Sequence, residues 1–175
     1  MTIVYIIVGL VALILIIPLF ISKDLNYSKS IAINAGIDDV WANVGSLSAM
    51  DKWSPWNAKD PGMQQTLTGT DGEVGAKQSW VSDKKDVGEG SQTIVGIDKP
   101  NKLSTKLEFI KPFKSEADAF VTLTEDGSTT TATWGFESQM SYPMNIMKLF
   151  MNFEKNMDKD FGAGLEKLKN LSEKG

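Results

Sequence analysis

The sequence predicts an α+β domain: an antiparallel sheet of about seven strands, covered by one long C-terminal helix and preceded by an apolar N-terminal helix. Three observations predict it. Residues 3–21 are almost continuously apolar, short alternating segments separated by turn residues fill positions 65–138, and an apolar step of three and four residues runs from Ile146 to Leu171.

The apolar opening is long enough to cross a membrane. Its 19 residues, Ile3 to Ile21, make roughly 28 Å of helix, close to the thickness of a bilayer's hydrocarbon core. Pro18 falls in the last turn, where it would at most bend the helix. A cleaved signal peptide is the rival reading and fits less well, because no Lys precedes the run and no Ala-x-Ala follows it. Residues 1–22 are therefore expected to form a transmembrane anchor and residues 23–175 the domain. Lys23 and Lys29 after the span tilt the positive-inside rule toward a cytoplasmic domain, with Asp24 offsetting part of the bias.

The domain begins with a strand over Tyr27–Ile33. A helix is expected across residues 34–50, with Val40, Trp41, Val44 and Leu47 at helical spacing and Asp38 and Asp39 in its first turn, where the helix dipole favours carboxylates. It breaks before Trp53-Ser54-Pro55. Six further strands are expected over Gln65–Gly69, Ala76–Ser82, Gly90–Ile97, Leu103–Ile110, Ala117–Thr124 and Thr129–Ser138. Asp126-Gly127 marks the tightest hairpin. The C-terminal helix should start at Tyr142-Pro143, since proline suits a first helical turn. It should run on through Phe150, Phe161 and Leu168. Gly162 and Gly164 interrupt it at roughly 1 kcal/mol each, tolerable where the helix must approach the sheet or bend.

Composition excludes much chemistry. The chain has no Cys, so no disulfide, thiolate nucleophile or zinc–thiolate site. It has no His, the usual general base near neutral pH and the commonest metal ligand. All 18 positive residues are Lys, so no guanidinium fork clamps a phosphate or carboxylate. A net charge of −4, with both signs interspersed, argues against nucleic acid. By strand phase, Glu108, Glu116 and Asp118 point away from the helix, and Glu137 is out of phase with Trp134. Glu154 and Asp158 form one patch on the long helix, expected to be solvated. No catalytic residue, metal ligand or cofactor is assigned.

Taken in order, a set of short segments resembles one superfamily. They are Ser30-Ile-Ala-Ile-Asn-Ala, Asp39-Val40-Trp41, Trp53-Ser-Pro-Trp with Asp60-Pro61, Val74-Gly75-Ala76 with Trp80, and Gly88-x-Gly90. Pro100-Asn101-Lys102, Leu107-Glu108-Phe109, Thr133-Trp134, Pro143-Met144, Lys159-Asp160-Phe161 and Gly164-Leu165 complete it. The set resembles the START/Bet v 1-like (SRPBCC) superfamily, in its polyketide cyclase/dehydrase-like branch. That resemblance implies a helix-grip fold, a curved sheet of about seven strands wrapped around the C-terminal helix and enclosing an apolar cavity. It implies no particular reaction.

Ten residues are the candidate cavity lining: Trp56, Gln78, Trp80, Gln92, Phe109, Trp134, Met144, Met147, Phe150 and Met151. Gln78 and Gln92 share phase with Trp80 and Ile94, as polar fixtures of an apolar pocket or as edge-of-core amides reached by water. Five of the eight methionines lie between Met140 and Met157. They are gap-filling core, an adaptable wall for apolar ligands, or a membrane contact. Trp53 and Trp56 are expected to plug one end of the cavity, with lining open to one of them. The expected partner is a hydrophobic small molecule or lipid, with the membrane engaged through residues 3–21. The alternatives are a cyclase- or dehydratase-type enzyme and a co-chaperone-like interaction domain.

Overall fold

The computed structural model describes residues 1–150 and 152–174, apart from the side chains of Val8, Leu10 and Val11. Helix α1 (Thr2–Ile16) tightens into a 3-10 turn at Ile17–Phe20, around Pro18, which lacks an N–H. Together Thr2–Phe20 are long and apolar enough to cross a membrane.

Seven strands follow: β1 (Tyr27–Ile33), β2 (Gln64–Thr68), β3 (Lys77–Val81), β4 (Glu89–Asp98), β5 (Lys102–Lys111), β6 (Ser115–Asp126) and β7 (Thr129–Ser138). They form one antiparallel sheet in the order β1-β7-β6-β5-β4-β3-β2. Strands β2 to β7 meander, and β1 returns beside β7. Register shifts at Glu89/Gly90 and Ile94/Gly96 bend β4. Three short helices, α2 (Ile37–Trp41), α3 (Leu47–Asp51) and α4 (Pro55–Lys59), connect β1 to β2. Helix α5 (Phe153–Ser172) packs on β1 and β7 through the helix-grip arrangement that the resemblance implies.

Two sequence expectations need correction. The helix expected over residues 34–50 is two helices, α2 and α3. Gly45 sits so close to the Trp41 indole that a Cβ would lie 2.6 Å from its Nε1. Ser46 then starts a new helix, its Oγ accepting from the Ala49 N–H at 3.2 Å. The long C-terminal helix is also broken. Residues Met144–Leu149 form a 3-10 segment and α5 begins only at Phe153, because side chains of that segment are held by the end of the apolar helix, as described below.

Strand register defines two ends of the sheet. The starts of β1 and β6, the end of β7, and the β3–β4 and β5–β6 loops share one end (Tyr27↔Phe136, Ala117↔Ser138, Glu89↔Lys111). The β4–β5 and β6–β7 turns share the other (Asp98↔Lys102, Asp126↔Thr129). The second end is packed solid: Ile33, Ile94, Leu103, Val121, Leu123 and Ala132 of the sheet close on Val40, Val44, Leu47, Leu165 and Leu168. The first end adjoins the apolar N-terminal helix and is packed differently.

Candidate functional site

At the end nearest the N-terminal helix the inward face of the sheet is left unfilled. The same alternation that fills the far end continues here with Leu107, Phe109 and Lys111 on β5, Ala117 and Ala119 on β6, and Trp134, Phe136 and Ser138 on β7. These surround a cavity of about 420 Å³. Two alanines side by side on β6 leave room that larger residues would fill. Helix α5 contributes only Phe153, Met157 and Phe161 to this half.

An aromatic block separates cavity from core. The Trp134 ring stacks on Phe161 at 4.0 Å, and Trp53 and Trp56 meet Trp134 edge-on at 4.8 and 5.6 Å. Trp53 is 1% exposed and donates its Nε1–H to the Asn43 carbonyl at 2.8 Å, which removes the cost of burying that N–H. Pro55 starts α4, and Lys59 at its end pairs with Asp160 of α5 at 2.6 Å. Helices α4 and α5 are thereby tied together beside the rings. On the opposite wall Trp80 meets Phe109 edge-on at 6.0 Å and donates to the Val87 carbonyl at 3.3 Å.

The polar groups inside are few and grouped. Gln78, paired with Gln92 across β3 and β4, donates its amide to Asp51 Oδ2. Gln65 bridges Asp51 and Asn57 at 3.4 and 3.2 Å, and Asn57 donates to the Asp51 carbonyl at 3.0 Å. Gln92 donates to Thr105 Oγ1 at 3.0 Å. The mouth carries Lys85, Asp86 and Lys111, with Leu25, Pro112 and Phe113. Among the described residues no three acidic side chains gather to hold a metal.

Of the ten sequence candidates, Trp56, Gln78, Trp80, Gln92, Phe109 and Trp134 all reach this cavity. Met144, Met147 and Phe150 do not, which corrects the expectation of a methionine wall: they lie on the 3-10 segment and at its cap, and are exposed. Met151 lies outside the described residues. Among the described residues, the methionines that line the cavity are Met50, Met63 and Met157. Asp51, Asn57 and Gln65 are polar lining residues that sequence reasoning missed; for Asp51, its place two residues before Trp53, at the tryptophan turn, was the available signal.

Glu108 and Glu116 sit outside the cavity, where strand phase puts them. Glu108 accepts from Lys77 and Ser91, which hold its carboxyl below the usual range, and Glu116 pairs with Lys106. Asp158 of α5 is taken by Lys29 and the Tyr27 hydroxyl, lowering its pKa. Burial, followed by the bond to Asp158, pushes the Tyr27 phenol up to about 12.

Comparison with known proteins adds fold and family. Truncated norcoclaurine synthase from Thalictrum flavum superposes with a TM-score of 0.64 at 11% identity, covering 86% of this chain and 94% of that one. A second structure of norcoclaurine synthase from Thalictrum flavum, in complex with dopamine and hydroxybenzaldehyde, gives 0.60 at 14% identity, covering 89% and 90%. An Arthrobacter aurescens protein solved in solution gives 0.58 at 18% identity, covering 86% and 87%. No curated protein matches in sequence. Residues 24–173 match the family described as polyketide cyclase / dehydrase and lipid transport, and with its seven-stranded grip around α5 this chain belongs to that family.

Proposed function

We propose that this protein binds a hydrophobic small molecule or lipid in its cavity, for transport or sensing, while Thr2–Phe20 anchor it in a membrane. The observation that carries the reading is the cavity itself, about 420 Å³ and walled mainly by aromatic and aliphatic side chains. Small-molecule sites of roughly 300–1,000 Å³ have this composition, with a few polar groups that set orientation. Asp51, Gln78 and Gln92 are those groups here.

Retention of the N-terminal helix rests on a separate observation. Asn145 is 0% exposed and donates its amide to the carbonyls of Pro18 and Ile21, both at 2.8 Å. Removing residues 1–22 would leave that amide without either acceptor. Catalysis on the bound molecule is a second reading, favoured by Asp51, whose carboxylate meets an amide inside an apolar wall; replacing it by Asn would abolish any such turnover.

Native mass spectrometry of the full chain purified from membranes tests the binding reading. We expect a co-purified apolar molecule at one per domain. A domain that is empty, and that takes up no apolar probe, would overturn it.

A further inference from the structure

The segment that failed to join α5 has a regular pattern of its own. In a 3-10 helix, side chains three residues apart eclipse one another. Asn145 and Lys148 therefore share one line along the segment, with Tyr142 just before it, and Met144 and Met147 share another, with Phe150 at the cap. The first line grips the end of the N-terminal helix. The Tyr142 hydroxyl donates to the Leu15 carbonyl at 2.9 Å, Asn145 to Pro18 and Ile21, and Lys148 to Ser22 and Asp24 at 3.1 and 2.7 Å. Those acceptors are backbone carbonyls in the last turns of the helical segment and in the stretch just past it. At a membrane boundary, where water is scarce, leaving them open is costly. A lysine at a helix C-terminus also meets its negative pole.

The second line is exposed among the described residues. Phe150 is 76% exposed and neighbouring Leu149 61%, and Met144 and Met147 are exposed beside them. A side chain bonded to Leu15 and Pro18 stands level with the apolar helix, not beyond it. Met144 and Met147, beside these side chains, are thus at the depth of the span's last turns, and Leu149 and Phe150 follow Lys148 to the span's end. The β5–β6 loop lies at this same end of the sheet and carries Phe113, 74% exposed at the cavity mouth. Leu25, on the cavity wall, is four residues past Ile21.

We infer that Met144–Phe150 form a collar embedded in the bilayer around the end of the span, and that the cavity mouth at Phe113 faces the lipid surface, so that apolar ligand passes between leaflet and cavity without crossing water. The occupant of this surface is lipid, because the surface is continuous with the span and is held to it by Tyr142 and Asn145. Lys23, Lys114 and Lys148 at the same end suit anionic headgroups. The inference rests on the reading of Thr2–Phe20 as a membrane anchor.

The absence of cysteine makes the test clean. Single variants Ile7→Cys, Phe150→Cys, Leu149→Cys, Phe113→Cys and Ser128→Cys of the full chain are labelled with an environment-sensitive fluorophore. They are then reconstituted in nanodiscs of phosphatidylcholine and phosphatidylglycerol containing nitroxide-labelled lipid. Labels at 7, 149 and 150 should shift to the blue and be quenched by nitroxides within the acyl region. The label at 113 should be quenched by headgroup nitroxides. The label at 128, on the β6–β7 turn at the opposite end, should show neither effect. Quenching at 7 without 149 and 150 overturns the collar and leaves the anchor standing. Quenching at 149 and 150 without 113 overturns the placement of the mouth. No quenching at 7 overturns the anchor and the inference with it.

Discussion

Two glycines one turn-fraction apart in α5 have opposite roles. A Cβ on Gly164 would lie 2.8 Å from the Trp134 ring and 3.3 Å from Pro55. A Cβ on Gly162 would meet only the flexible end of Lys29, at 3.5 Å. Replacing helical Gly by Ala gains about 1 kcal/mol of propensity, and overpacking a tight contact costs about 1–3 kcal/mol. Gly162→Ala should therefore stabilise the domain by about 0.5–1 kcal/mol, and Gly164→Ala should destabilise it by about 1–2 kcal/mol, in urea unfolding. The close approach was legible as a pair of glycines, but which of them makes it depends on where Trp134 stacks. Gln78 and Gln92 were legible because strand period is strict. Asp51 was not, because it lies on a short helix whose facing is decided by the partner sheet.

At the scale of elements, strands were read better than helices. Their period of two and their bounding turns are local signals, and Thr129–Ser138 matches its expected limits. Helix α3 depends on a residue far along the chain. Asp71 accepts from the Leu47 N–H at 2.8 Å, the Ser48 N–H at 3.2 Å and the Ser48 hydroxyl. Burial pushes its carboxyl up, but these bonds outweigh that and leave the pKa below the ordinary 3.8. A lowered pKa means that the ionised form is favoured on folding. The contribution is complete well above pH 3.8 and disappears as pH falls through the lower folded value. Asp71→Asn should cost about 1–2 kcal/mol at neutral pH. Its stability curve should converge with that of the wild type in acid; a gap that persists there would contradict the carboxylate's role. The C-terminal break was illegible for a related reason. The apolar spacing of residues 144–150 suits an α-helix, and the carbonyls of Pro18, Ile21, Ser22 and Asp24, past the end of α1, divert Asn145 and Lys148.

For the whole molecule, one sheet serves two purposes along its length. The end away from the N-terminal helix is filled by branched side chains and is expected to carry most of the stability. The near end is walled by rings and floored by Ala117 and Ala119, which holds the space open. Four of the five tryptophans, Trp53, Trp56, Trp80 and Trp134, line that space, so occupancy can be read from intrinsic fluorescence. The most direct measurement is titration of the domain with a brominated fatty acid while following tryptophan emission, in the wild type and in Ala119→Phe, which places a ring in the cavity. Saturable quenching at one equivalent in the wild type, lost or much weakened in Ala119→Phe while the fold is retained, is the predicted result. Absence of saturable quenching, or equal quenching in both proteins, would contradict a ligand-binding cavity.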